Sequence, residues 1–312
     1  MISNHFFTID EIKNSIFYGD CFHILPFFPP RSIDLIISDM PYNLTQITWE
    51  NEVDLNQLWK LYLPLIKPNG VICLFGSQPF TSKVVSSNLT WFKYEWIWHK
   101  DRPSNFPLAK YQPLKYHEEI VVFYHESPIY HPQMIPRISR RIEQGQKSGN
   151  DYFKRYPRKV NTIFSGIHEQ KDIIRYSDYD TELKYPSSVI EMPKITPNAY
   201  EKTIHPTQKP VRLYEYLIKT YTDEGMLVLD SFAGSGTNAV ACLNTKRKFV
   251  CIEKNRDAEG KPLGFIDIIL QRIREKNSSM QIQKTKYTDF SYFSCSTVME
   301  KFITPKNQSL NT

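Results

Sequence analysis

Asp39-Met40-Pro41-Tyr42 follows the apolar run Ile33–Ser38 (IDLIIS). A carboxylate, a carbonyl held before proline and an aromatic ring therefore stand together where a buried strand should stop. Such a set suits an amino group attached to a planar ring. The lone pair of that amine is delocalised, and to attack an electrophile it must become tetrahedral and shed a proton. Acceptors aimed at its two N–H bonds favour the change and stabilise the charge that develops. Asp39 offers one acceptor and the Met40 carbonyl the other, while Pro41 restricts the backbone before it. Tyr42 offers a face on which a base lifted from a duplex would stack. A corner between strand and turn with a core aromatic uses the same residue types, so this segment alone leaves both readings open.

A second constellation lies in Leu227–Thr237 (LVLDSFAGSGT), a strand running through a glycine-rich turn into a helix. Gly234 and Gly236 let the backbone turn tightly and approach a ligand without an intervening Cβ. The helix start beyond them offers free N–H groups. About twenty residues further on, Phe249–Glu253 (FVCIE) is another apolar run ending in a carboxylate. An acidic residue at that place accepts hydrogen bonds from ribose hydroxyls. The loop lacks both the GxGxxG spacing of nicotinamide sites and the Lys-Ser/Thr of a phosphate loop. An adenosine-containing ligand without a pyrophosphate fits it better.

These residues need a scaffold that brings strand ends together. Ile33–Ser38, Val71–Phe75, Ile120–Tyr124, Leu227–Asp230 and Phe249–Glu253 are continuous rather than alternating apolar runs, as expected of parallel strands covered on both faces. Helical patterns fall between them at 56–66, 79–88, 211–222, 237–243 and 265–275. Lys67-Pro68-Asn69-Gly70 reads as a helix stop and a turn before the next strand. The fold class expected is α/β, a doubly wound, mostly parallel sheet. Residues 126–202 break the pattern. They are rich in Pro, Tyr, Ser, Asn and basic residues, and too long for an ordinary connection. The division expected is 1–125 as one half of the core, 126–202 as an insertion, 203–276 as the other half and 277–312 as a polar tail.

Composition narrows the class. No run approaches the roughly 18 apolar residues of a membrane span, and Met1–Asp10 lacks the features of a secretion signal. A cytoplasmic location is the expectation. The five cysteines (Cys21, Cys73, Cys242, Cys251, Cys295) are dispersed, which argues against disulfides or a zinc site. Cys73 and Cys251 should be buried in strands. His99, His117, His125 and His131 lack a matching carboxylate or cysteine cluster, so no metal is expected. The formal net charge of +6 is compatible with a polyanionic partner.

Asp39–Tyr42, His205-Pro-Thr-Gln-Lys-Pro210 and Asp230–Thr237, in that order, resemble the β class of S-adenosylmethionine-dependent DNA amino-methyltransferases. The similarity spans about residues 15 to 275. It implies a Rossmann-like methyltransferase sheet, with a cofactor pocket beside a base pocket and a target-recognition region between the two motif groups. By this resemblance Asp230, Phe232, Ala233, Gly234, Gly236 and Thr237 belong to the cofactor loop, and Glu253 binds the cofactor ribose. His205–Pro210 closes over the methionine part of S-adenosylmethionine, with His205, Thr207 and Lys209 as contacts. Asp20, after Gly19, resembles an acid facing the cofactor adenine. The family usually has Pro at the place of Met40; a backbone carbonyl survives that change. Asp rather than Ser at position 39 leans toward adenine over cytosine.

Arg137, Arg140, Arg141, Lys147, Lys154, Arg155, Arg158 and Lys159 crowd one stretch of the insertion, opposed only by Glu143 and Asp151 and interleaved with Tyr152, Phe153 and Tyr156. Cations of this kind make phosphate contacts and aromatics wedge at a lifted base, so double-stranded DNA is the expected partner. The polar loop Lys100–Phe106 after Trp91–His99 reads equally as a border of the base pocket or as plain structure. The leading expectation is adenine methylation in DNA. Alternatives are a cytosine amino-methyltransferase, an RNA adenine methyltransferase on the same fold, or a cofactor-binding protein that grips DNA without reacting. A homodimer is compatible with the sequence, which does not itself specify an oligomeric state.

Overall fold

The computed structural model describes residues 6–42, 53–136, 183–195, 208–254, 263–278, 280–286 and 291–297. Two compact units divide the chain, residues 1–131 with 188–312 and residues 132–187.

In the larger unit the chain runs α1 (Ile9–Ile12), β1 (Ser15–Tyr18), α2 (Cys21–Ile24), β2 (Ile33–Ser38), α3 (Leu55–Leu65), β3 (Ile66–Gly76), α4 (Phe80–Ser87), β4 (Phe92–His99) and β5 (His117–Phe123). In the smaller unit, β6 (Ile135–Pro136) pairs antiparallel with β7 (Leu183–Lys184). The larger unit resumes with β8 (Val189–Glu191), α5 (Val211–Tyr221), β9 (Leu227–Asp230), α6 (Thr237–Asn244), β10 (Lys248–Glu253), α7 (Phe265–Lys276), β11 (Met280–Lys286) and β12 (Ser291–Thr297). Local chemistry sets several of these boundaries. Thr8 and Glu11 form a reciprocal capping box at α1, and the Asp54 carboxylate accepts the Gln57 N–H at the start of α3.

Ten strands make one sheet in the order β11-β12-β1-β10-β9-β2-β3-β5-β4-β8. Neighbours from β1 to β3 run parallel. Helices cover both faces. Leu213, Leu217, Val240, Ile269 and Leu270 pack on one face; Leu58, Trp59, Tyr62, Phe80 and Val84 belong to the core on the other. Every residue of β2 and β9 is buried, which is why their sequences show no alternation. Cys73 and Cys251 are buried in β3 and β10.

Three expectations change. The run at 120–124 belongs to β5, which is antiparallel to both of its neighbours, β3 and β4. A continuous apolar run reports two covered faces and says nothing of direction; the chain simply returns from β4, pairing His99 with His117. The Lys67–Gly70 segment is an irregularity within β3 rather than a turn before it. Ile33 pairs with Ile66 and Leu35 with Val71, so the extra residues bulge out of the ladder. Finally, β1, β11 and β12 lie in sequence that showed no strand pattern. β11 and β12 form an antiparallel pair continuing the sheet beyond β1.

Candidate active site

Parallel pairing of β2 with β9 puts their carboxyl ends abreast, the place where ligands bind in open α/β sheets. Ser231 N–H donates to Ser38 Oγ at 3.3 Å, and Tyr62 Oη, Ser231 Oγ and Ser38 Oγ form a buried hydroxyl cluster beneath the two strand ends. Asp39 emerges from one end and Asp230 from the other.

On the β9 side the backbone makes the site. Gly234 and Gly236 both have positive φ, 50° and 75°, and Gly236 caps the start of α6. A Cβ on Gly236 would lie 2.8 Å from Ile269 Cγ2, so any residue with a side chain is excluded there. A Cβ on Gly234 would meet nothing within 4 Å; the loop faces open space there. Glu253, at the end of β10, accepts the Gly234 N–H at 2.6 Å. Ala233 N–H donates to the Ile252 carbonyl, and Arg272 of α7 ties the loop from behind by donating to Ser235 O and Thr237 Oγ1. Phe232 N–H donates to the Asp230 carboxylate at 3.1 Å. Burial, against that hydrogen bond, pushes the Asp230 carboxyl up to about 8. Asp20 caps α2 and lies 3.5 Å from Lys254 Nζ, while Gly19 N–H donates to the Glu253 carbonyl, so this turn adjoins the end of β10. The open space in front of Gly234 lies beside the Glu253 carboxylate, an acceptor of the kind that ribose hydroxyls meet at the end of such a strand.

On the β2 side, side chains make the site. Tyr42 Oη donates to Asp39 Oδ1 and Lys209 Nζ to Asp39 Oδ2, each at 2.5 Å. Lys209 lies 3.3 Å from Glu118 Oε2, and Lys100 donates to Glu118 Oε1 at 2.9 Å and to Ser104. Two anions and two cations thus alternate through the site. Lys100 is fully buried, and Lys209 is only 8% exposed. Removing one member of such a set strands a buried charge, at about 3–5 kcal/mol. Burial works against the charge on Glu118, but Lys209 and Lys100 outweigh it and hold its carboxyl at about 2. For Asp39 burial prevails over Lys209, and its carboxyl is raised from the ordinary range. Burial opposes the charge on Lys209 too, yet Asp39 and Glu118 raise its ammonium overall.

Rings enclose this set. The Tyr42 ring lies 5.3 Å from Phe80, and Phe75 stacks on Tyr214 at 5.5 Å. The Lys209 ammonium sits over both Tyr42 and Phe75. Met40 is buried in the same core as Phe80 and Val84, and Pro41 is half-buried. Lys209 O accepts from Thr237 Oγ1 at 3.4 Å, which links the two halves of the site through one residue.

Asp39, Tyr42 and Lys209 therefore meet, as do Asp230, Gly234 and Glu253. His205, Thr207 and the basic set Arg137, Arg140, Arg141, Lys154, Arg155, Arg158 and Lys159 lie outside the described residues. Tyr214 escapes sequence reasoning; Lys100 enters it only within the polar loop 100–106, as a border of the base pocket or plain structure, and Glu118 is not singled out. The one signal of these two charges is a place at the very border of an apolar strand: Lys100 follows Trp91–His99, and Glu118 precedes Ile120–Tyr124.

A mostly parallel sheet covered on both faces, a glycine turn into a helix and an acid ending the next strand define the class I methyltransferase fold. M1.HpyAVI, solved as a complex with SAM, shares it at a TM-score of 0.51 and 22% identity, over 84% of this chain and 97% of that one. The PvuII DNA methyltransferase (cytosine-N4-specific) shares it at 0.51 and 16%, over 83% and 92%. The DNA methylase family model matches residues 33–259, and the chain belongs to this family of S-adenosylmethionine-dependent N6/N4 amino-methyltransferases. Among curated relatives, the type II methyltransferase M.HpaI of Haemophilus parainfluenzae is 29% identical over 242 residues, 73% of this chain and 66% of that protein. The DNA adenine methyltransferase YhdJ of Escherichia coli K12 is 25% identical over 283 residues, 87% of this chain and 88% of that one.

Proposed function

We propose that this protein methylates the exocyclic N6 of adenine in double-stranded DNA, acting on a base flipped out of the duplex. The observation that carries the reading is the Asp39 carboxylate at the end of β2, half-buried and bonded by the Tyr42 hydroxyl. S-adenosylmethionine, when bound, supplies an electrophilic methyl on a sulfonium. Asp39 and the Met40 carbonyl accept the two N–H bonds of the amino group, favour its tetrahedral form and stabilise the charge that grows on it. Tyr42 stacks on the flipped base. Asp230 and Glu253 hold the cofactor's ammonium and ribose, and the glycine turn admits it to the sheet edge. His205, Thr207 and Lys209 complete that pocket. Residues 126–202 form the target-recognition region, with Arg137, Arg140, Arg141, Lys154, Arg155, Arg158 and Lys159 on phosphates.

Asp at position 39 and the similarity to YhdJ, a DNA adenine methyltransferase, both support adenine over cytosine. The test is transfer of labelled methyl from S-adenosylmethionine to unmethylated duplex DNA, with RNA offered in parallel, followed by nucleoside analysis. N6-methyl-2′-deoxyadenosine is expected. N4-methyl-2′-deoxycytidine would retain the chemistry and overturn the choice of base; label in RNA alone would overturn the choice of nucleic acid.

A further inference from the structure

Lys209 stands between two carboxylates that it serves unequally. It donates to Asp39 Oδ2 at 2.5 Å and lies 3.3 Å from Glu118 Oε2. Among the described residues that Glu118 oxygen is buried and accepts no hydrogen bond of proper geometry, whereas Oε1 is fixed by Lys100. Asp39, meanwhile, has both oxygens engaged, one by Lys209 and one by Tyr42. An amino group that gains positive charge during transfer is poorly matched to a carboxylate still bound to an ammonium. The lysine has somewhere to go. Its backbone carbonyl accepts from the Thr237 hydroxyl, and its tip lies over the Tyr42 and Phe75 rings within reach of both acids.

We propose that Glu118 is a positioning residue for methyl transfer: it is the second seat of the Lys209 ammonium, which leaves Asp39 as the amino group of the target base arrives. Lys100 keeps Glu118 ionised and aimed, and Lys209 keeps Asp39 ionised until the base is present. This inference rests on Asp39 being the catalytic carboxylate. Around Asp39 the titratable groups are Tyr42 from its own loop, Lys209 ahead of α5, Tyr214 on α5, Glu118 on β5 and Asp230 on β9.

The experiment measures single-turnover methyl transfer to duplex DNA against pH, with cofactor affinity by equilibrium binding, in the full chain. E118Q should slow transfer about tenfold or more with cofactor affinity within about threefold, and its acid limb should move down, because Lys209 then serves Asp39 alone. K209M should move the acid limb up by about one pH unit or more, because burial of Asp39 is no longer opposed. Opposite shifts are the signature. E118D keeps the charge on a shorter arm and should fall between wild type and E118Q, whereas a packing role would favour the isosteric Gln. E118Q at the wild-type rate with an unmoved limb overturns the proposal, as does a K209M limb that fails to rise. If E118Q does not fold, E118D indistinguishable from wild type overturns it. D39A separates the two levels: active D39A removes the reading beneath, while inactive D39A with wild-type E118Q removes only this inference.

Discussion

The two halves of the site are built from different materials. At the end of β9 the ligand-facing surface is backbone, shaped by Gly234 and Gly236 and braced by Glu253 and Arg272. At the end of β2 it is side chain: Asp39 with Tyr42, Glu118 and Lys209 come from three separate segments and hold one another by charge and hydrogen bonds. A braced loop has one arrangement, suited to gripping a cofactor. A set of alternating charges has several arrangements close in energy, suited to a site whose charge changes when a base enters and reacts. Binding and chemistry should therefore separate when the halves are mutated one at a time.

The largest effect belongs to Asp39. D39A should lower the single-turnover rate by about 10³-fold or more, since it removes the acceptor that stabilises the developing charge. Cofactor affinity, set at the other strand end, should stay within about threefold. Equal losses of rate and cofactor affinity would mean that the halves are not separable. The same carboxylate gives a pH dependence. Asp39 must be ionised to accept, and burial raises its carboxyl, so activity should fall with decreasing pH at a limb above the ordinary carboxylate range.

Next comes Gly236. G236A forces a Cβ to 2.8 Å from Ile269 at a φ of 75°, and both strain and overpacking should destabilise the protein by about 2–4 kcal/mol. Denaturant unfolding of wild type and variant reads this directly.

Legibility followed the same division. The glycine turn and its acidic partners were readable because their geometry is local: positive φ demands glycine, and an acid at a strand end needs only a buried run before it. Asp39 and Tyr42 were readable for the same reason. The pairing of Lys209 with Asp39 joins residues 170 apart, and nothing short of the sheet order brings them together. Glu118 was harder still, because it faces the site only once β5 runs antiparallel, a direction that its apolar run does not encode. Resemblance gave Lys209 a cofactor role; in the structure its ammonium is on Asp39 and its carbonyl on the cofactor loop.

Acid unfolding sharpens the electrostatic side. Glu118 is held near 2 in the fold against an ordinary 4.5. Its folded value is depressed, so its contribution is fully present above about 4.5 and lost as pH falls toward 2. The contribution is on the order of 3 kcal/mol. Stability measured at pH 5 and pH 3 should drop less for E118Q than for wild type. An equal drop would mean that Lys100 and Lys209 do not hold this carboxylate.

The smallest effect on the fold, and the sharpest test of the comparison, is Gly234. Its φ of 50° makes alanine unfavourable by about 1–2 kcal/mol, yet the added methyl would meet no described atom within 4 Å. The cost to stability is therefore conformational alone and should be smaller than for G236A. The methyl does, however, project into the open space in front of the loop, which the cofactor must approach. G234A should fold cooperatively and lose cofactor affinity by about tenfold or more, roughly what 1.4 kcal/mol of steric exclusion gives. Its transfer rate at saturating cofactor should stay close to wild type, because the Asp39 set is untouched. A variant that kept its affinity would show that the ligand does not pass over Gly234, and the backbone half of the site would have to be redrawn around Asp230 and Glu253.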